Sequence, residues 1–425
     1  MKELTQLIKE DMKPALGVTE PGAIAFAVAA AREHLEGQAE RVEIFLNSGM
    51  YKNAFTCGIP GTSHVGNAYA AALGVTAADP AKSLLCLDGL REAQVRKAEQ
   101  LVADGGIAVH MKSITSRIYI EAVVYGKNHK ASVLIRDGHT NIVKITEDDR
   151  VVLDKDVAES GNTADTTPVI HHYTLAQLLD YAETVPVEEI SFIEQAFTMN
   201  LDLLQEGLNN PRTKFARVLK AMNGNEVFSG DVVRTAALIC NGAIEARVIG
   251  LDKPAMSITG SGSHGIIATL PLYAWYKVKQ CTLEQLLRAT ALSFLVCMYI
   301  KEYSGKLSAF CGCAIAAGTG SACGLVYLMG GGFDAMGKAI NNMSSSITGM
   351  ICDGGNQGCV MKGLTAVELA FASAELAMQD AYIDDVHGIN GATPEETMKN
   401  MGTIASPGMV GTEKTIVDIL QEKQM

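Results

Sequence analysis

Five of the ten cysteines in this 425-residue chain stand between Cys311 and Cys359, in a segment that also holds much of its glycine. Cys352 and Cys359 bracket Asp353-Gly354-Gly355-Asn356-Gln357-Gly358, a polar loop flexible enough to fold two thiolates around one centre, and Cys311 supplies a third soft donor from upstream. Free cysteine usually behaves as a small buried hydrophobe. Cys86, Cys240, Cys281 and Cys297, in apolar or helical surroundings, read that way. Cys352 and Cys359 do not, because a glycine-rich polar loop is a poor core element and a good wrapping for a metal. Zinc and an iron-sulfur cluster both suit such donors. Against zinc, CxxC is absent and no fourth Cys or His stands at typical zinc spacing.

Titratable groups on expected loops are the next candidates. His64 lies in Gly61-Thr62-Ser63-His64-Val65-Gly66, His139 in Gly138-His139-Thr140-Asn141, and His264 in Gly260-Ser261-Gly262-Ser263-His264-Gly265. Each is a candidate catalytic group, and each also suits a turn-stabilising or exposed histidine. His171-His172 reads as solvent-exposed. Glu20 is a candidate acid, base or ammonium-orienting group. Lys52 and Asn53 are candidates for binding a carboxylate, with Thr140 and Asn141 as further substrate-binding groups. The run from Gly260 fits GxGxxG, but the strand-like stretch before it, Met256 to Thr259, is short and no βαβ alternation surrounds it, which argues against a dinucleotide site. A better use is to present backbone N–H groups and Ser261 or Ser263 to a carboxylate at a helix start.

The runs Leu307-Ser308-Ala309-Phe310-Cys311, Met350-Ile351-Cys352-Asp353-Gly354-Gly355 and Gly358-Cys359-Val360-Met361-Lys362 resemble the cluster motif of the L-cysteine desulfidase family, a relative of the iron-sulfur L-serine dehydratase α-chain. The resemblance extends through Lys13-Pro14-Ala15-Leu16-Gly17-Val18-Thr19-Glu20-Pro21, Lys52-Asn53, Ile59-Pro60-Gly61-Thr62, Gly138-His139-Thr140-Asn141-Ile142-Val143 and Gly260-Ser261-Gly262-Ser263-His264-Gly265-Ile266. It implies a [4Fe-4S] cluster on Cys311, Cys352 and Cys359, with Cys313 as the fallback for the first position. One departure is Val18, where many members carry cysteine, so sulfide and water both stay open as the leaving group.

Three thiolates on a four-iron cluster leave one iron free to act as a Lewis acid toward a substrate carboxylate and β-substituent. Loss of a β-thiol or β-hydroxyl from cysteine or serine also requires a positioned base for the weakly acidic Cα proton. Aminoacrylate then collapses to pyruvate and ammonia. Two other classes compete. A pyridoxal-phosphate lyase would take Lys52 as its Schiff-base residue, but no glycine-rich phosphate cup accompanies it. A cluster-binding redox sensor would not need the polar loop motifs.

These groups must be positioned by elements that the periodicity outlines. Leu4, Leu7, Ile8 and Met12 form a helical stripe, and Ala23 to Leu35 a second helix, with Gly17 to Gly22 between them as a turn. Strands are expected at Arg41 to Leu46, Ile107 to Lys112, Arg117 to Val124, Lys130 to Arg136 and Asn141 to Thr146, the last two flanking the turn pair Asp137-Gly138. From Leu175 onward the pattern is helical. The expected fold is α+β: an amino-terminal half with a mostly antiparallel sheet and helices (1–168), then an all-helical, cluster-binding half (169–425), divided near the polar stretch Ser160 to Pro168.

At 48% hydrophobic content the chain can bury sizeable cores. A net charge of -12, with no basic cluster, argues against nucleic acid. The first residues mix Lys2, Glu3, Lys9, Glu10 and Asp11 among leucines, unlike a signal peptide, and the apolar run Ala289 to Ile300 is too short to span a bilayer. The expected location is the cytoplasm, with reduced thiols and a small amino acid as substrate. Alanine- and glycine-rich helices would suit a homodimer interface.

Overall fold

The computed structural model describes residues 2–155, 167–305 and 307–423. Most of the stretch expected to divide the halves, Ser160 to Thr166, lies outside the described residues. Among the described residues eight strands form two sheets. β1 (Lys13–Leu16) and β8 (Pro254–Ser257) pair antiparallel as a ribbon. β2 (Arg41–Asn47), β3 (Ile107–Ser113), β4 (Tyr119–Tyr125), β5 (Lys130–Arg136), β6 (Ile142–Glu147) and β7 (Arg150–Asp154) form a sheet in the order β3-β2-β4-β5-β6-β7.

The alternation in β4 and β5 determines how this sheet packs. Ile120, Ala122 and Val124 stand opposite Ile135, Val133 and Ala131, and all six are buried on one face. That face lies on the helix Thr19–Glu33, whose residues from Ala23 to Ala31 are all buried. Among the described strands only β2 and β3 pair parallel. A parallel pair cannot be closed by a tight turn, and the chain between them carries the helices Asn67–Thr76 and Glu92–Ala103. The fold is therefore α+β, with a mostly antiparallel sheet and a mainly helical second half.

Two local departures from the expected elements matter for the site. The stretch from Gly17 to Gly22 is not all turn: the helix begins at Thr19, so Glu20 and Pro21 occupy its first turn. Proline is tolerated there because its missing N–H would have had no partner within the helix. The turn at Asp137-Gly138 is also longer than a two-residue hairpin, since β6 starts only at Ile142. The longer loop carries His139.

In the second half the helices Val232–Val248, Gly262–Lys279, Leu283–Ser304, Gly318–Leu328 and Gly358–Met378 pack against one another. Leu283–Ser304 starts from a capping box between Thr282 and Gln285 and is 22 residues long, so the apolar run Ala289 to Ile300 sits inside a longer helix. Among the described residues it is the one helix long and apolar enough to cross a membrane, and 78% of its apolar window is buried inside the protein. An all-round apolar surface is what a central core helix requires.

The amino-terminal segment returns to this helical half. β1 reaches β8, Ser257 Oγ donates to Lys13 O at 2.6 Å, and Thr19 Oγ1 donates to Gly260 O at 3.1 Å. The start of the helix Thr19–Glu33 is thereby held beside the start of Gly262–Lys279.

Candidate active site

Cys311 and Cys352 are distant in the chain and are brought together by backbone pairing. Cys311 N donates to Met350 O at 3.0 Å and Cys352 N to Ala309 O at 2.6 Å, around an antiparallel bridge between Phe310 and Ile351. Cys359 sits in the first turn of the helix Gly358–Met378, where Asn356 Oδ1 accepts from Gly358 N at 2.7 Å and Asn356 O accepts from Cys359 N at 3.0 Å. The three thiols line one cavity. Burial pushes the Cys359 thiol up to about 12, and the neighbouring Cys352 and Cys311 push the same way. Cys313 lines the same cavity with its sulfur 3.4 Å from that of Cys311.

The loop between Cys352 and Cys359 is pressed against the first half of the chain. Gly355 N donates to Asn53 O at 3.1 Å, and a Cβ on Gly355 would stand 2.8 Å from Val18 Cγ1. Any side chain there would push the loop off its seat. Asn53 Nδ2 donates to Glu20 Oε1 at 2.9 Å, and His139 Nε2 lies 3.9 Å from the same oxygen. Glu20, Asn53 and His139 all line the cavity. Glu20 also stands in the first turn of the helix Thr19–Glu33.

Lys52 is not placed as a cavity-facing clamp. It is 1% exposed, and its Nζ donates to Ser308 O (3.0 Å), Cys352 O (2.7 Å) and Glu413 Oε2 (2.8 Å). Burial works against its charge, but Cys352 and Glu413 outweigh it and raise the ammonium above its usual value. Lys52 therefore ties both cysteine-bearing segments to the helix Val410–Glu422.

Ser261, Ser263 and His264 line the cavity from the amino-terminal end of Gly262–Lys279. The imidazole of His264 is buried, with Nδ1 2.5 Å from Thr259 Oγ1, whose own hydroxyl donates to Ile258 O. Burial, then Lys301 and Arg247, hold its pKa well below the usual value, so the ring is neutral. His64 does not reach the cavity. It pairs with Glu99 at 2.6 Å and stacks on Tyr69. Thr140 and Asn141 are also outside the lining, and Asn141 Nδ2 donates to Arg136 O at 2.9 Å within its turn.

Arg247, Lys301 and Lys362 complete the wall and were not among the residues singled out from sequence. Arg247 stands two residues after Glu245 and Lys301 beside Glu302, so no local pattern sets either apart from an ordinary helical charge. Lys362 is paired with Asp353; burial alone would lower its pKa, but Asp353 and Cys352 raise it.

Among the described residues no three His, Cys, Asp or Glu side chains stand close enough to hold a single metal ion. A zinc site would need its sulfurs roughly 4 Å apart, given Zn–S bonds of about 2.3 Å. A four-iron cluster asks for less, since each cysteine ligates a different iron and the sulfurs spread around the cluster. Three thiols from three segments, facing one cavity ringed by Arg247, Lys301 and Lys362, suit that larger anionic group.

An α+β chain whose helical half closes three cysteines over an amino-terminal carboxylate defines the class of protein. The family model described as "Serine dehydratase alpha chain" matches residues 149–418, and this chain belongs to that family. It is also similar, over nearly its whole length, to proteins named only UPF0597 protein. One, from Clostridium botulinum (strain Langeland), is 40% identical over 99% of this chain and 98% of its own. Relatives from Bacteroides thetaiotaomicron and Clostridioides difficile are 35% and 34% identical, over 99% and 98% of this chain and 98% and 99% of their own.

Proposed function

We propose that the protein is an iron-sulfur-dependent lyase that converts L-cysteine and water to pyruvate, ammonia and hydrogen sulfide. The observation that carries this reading is the convergence of Cys311, Cys352 and Cys359 on a cavity that also holds Glu20, Arg247 and the neutral His264. A [4Fe-4S] cluster held by these three cysteines supplies, when bound, a Lewis-acidic iron with an open position.

The remaining work falls to the chain itself. Thr259 Oγ1 gives its own proton to Ile258 O and so accepts from His264 Nδ1. That arrangement leaves the lone pair on Nε2, which reaches toward Gly312, where a Cβ would stand 2.7 Å away. His264 Nε2 is the proposed base for the Cα proton. Glu20, which accepts from Asn53 and has His139 beside it, is the proposed partner of the substrate ammonium. Val18, Leu307 and Phe310 give the wall apolar surface, which suits a thiol side chain.

A second reading, release of water from L-serine, is favoured by the name of the matched family. Anaerobically reconstituted protein given each amino acid separates the two. Sulfide from L-cysteine is expected, and pyruvate from L-serine alone overturns the desulfidase reading. The hydrogen bonds of Lys52 to two carbonyls and Glu413 speak against a Schiff base there.

A further inference from the structure

The helix Val232–Val248 delivers Arg247 to the cavity from its last turn, 4% exposed. Nη1 donates to Ser263 Oγ at 2.9 Å, whereas Nε is buried with no hydrogen-bond partner. Among the described residues no carboxylate forms an ion pair with it. Glu20 attracts it only through space, so the buried guanidinium has no anion in contact and keeps donors for one that enters the cavity. The surroundings preserve its position: Gly262 lies against it, and a Cβ there would stand 2.6 Å from Nε and 3.1 Å from Cδ. Ser263, which fixes one side of the fork, lines the cavity too.

A planar fork of N–H donors matches the two oxygens of a carboxylate. We propose that Arg247 is the receptor for the α-carboxylate of the substrate, oriented by Ser263, so that the site takes free α-amino acids and rejects their amides and esters. This rests on the lyase reading for the identity of the substrate, but the carboxylate receptor is testable without turnover. With Arg247 on the carboxylate and Glu20 on the ammonium, both ends of the Cα substituent pattern are fixed and the β-carbon is directed toward the cysteines.

The test is calorimetric titration of the anaerobically prepared protein with two unreactive probes, L-alanine and L-alaninamide, which differ at the carboxyl group. The parent is expected to prefer L-alanine by on the order of 100-fold. Arg247→Gln should lose that preference by weakening L-alanine alone, and Arg247→Lys should recover part of it. Absence of a preference in the parent overturns the proposal without any variant, and so does a preference that Arg247→Gln retains. Sulfide and pyruvate release by the parent, measured alongside, judges the lyase reading separately, because a carboxylate preference with no turnover would support Arg247 while sinking the reaction.

Discussion

The roles of single side chains follow from how each is partnered. His264 has one ring nitrogen engaged by Thr259 and the other aimed at the cavity, in surroundings that keep it neutral. A general base contributes about 10²- to 10⁴-fold. His264→Gln should therefore lower kcat by that order while iron content stays at the parent level; a variant that loses iron as well would assign His264 to the architecture. Cys240 and Cys297 are fully buried and absent from the cavity wall. Cys240→Ala is expected to retain iron and activity. The cysteines were legible in the sequence because local density in a polar loop is a one-dimensional signal. Arg247 and Lys301 were not, since each follows or precedes another charged residue, Glu245 or Glu302, as a solvated helix face would, and gains its meaning only from the cavity. Lys52 was legible as important but not in its role, because its partner Glu413 lies 361 positions away.

Among the elements, the short ones do most of the positioning. The bridge at Phe310 and Ile351 brings two cysteines together, and Lys52 fastens both of their segments to Glu413. Removing one partner of a buried ion pair typically costs about 3–5 kcal/mol. Glu413→Gln should lower the stability measured by urea unfolding by that order, and a change below about 1 kcal/mol would show that the pair does not hold the segments. Gly355→Val would drive its side chain into Val18 and Asn53 O, so it is expected to displace the loop and reduce iron retention, read by metal analysis of the folded protein. Long elements were readable from periodicity, including β4, β5 and the helix Leu283–Ser304. The start of Thr19–Glu33 was read as a turn because Pro21-Gly22 looks like a breaker, although proline fits a first helical turn. β1 is only four residues long and is fixed by its distant partner β8, so no local pattern could announce it.

For the molecule as a whole, the site belongs to neither half alone. Glu20, Asn53 and His139 come from the segment before residue 150, whereas the cysteines, Arg247 and His264 come from the helical half. The family model covers residues 149–418 and so spans the cysteine-bearing part, while the UPF0597 relatives extend over nearly the full chain. The α+β class was legible from the change of pattern along the chain. The parallel pairing of β2 with β3 was not, because strand order depends on tertiary packing. The central claim is that Cys311, Cys352 and Cys359 together hold a cluster beside the substrate cavity. Its most direct test is anaerobic iron analysis with an absorption spectrum for the parent, Cys352→Ala, Cys359→Ala and Cys240→Ala. About four irons per chain and a broad air-sensitive band are expected in the parent and Cys240→Ala, with both lost in the other two. Parent-level iron in Cys352→Ala and Cys359→Ala would contradict the account.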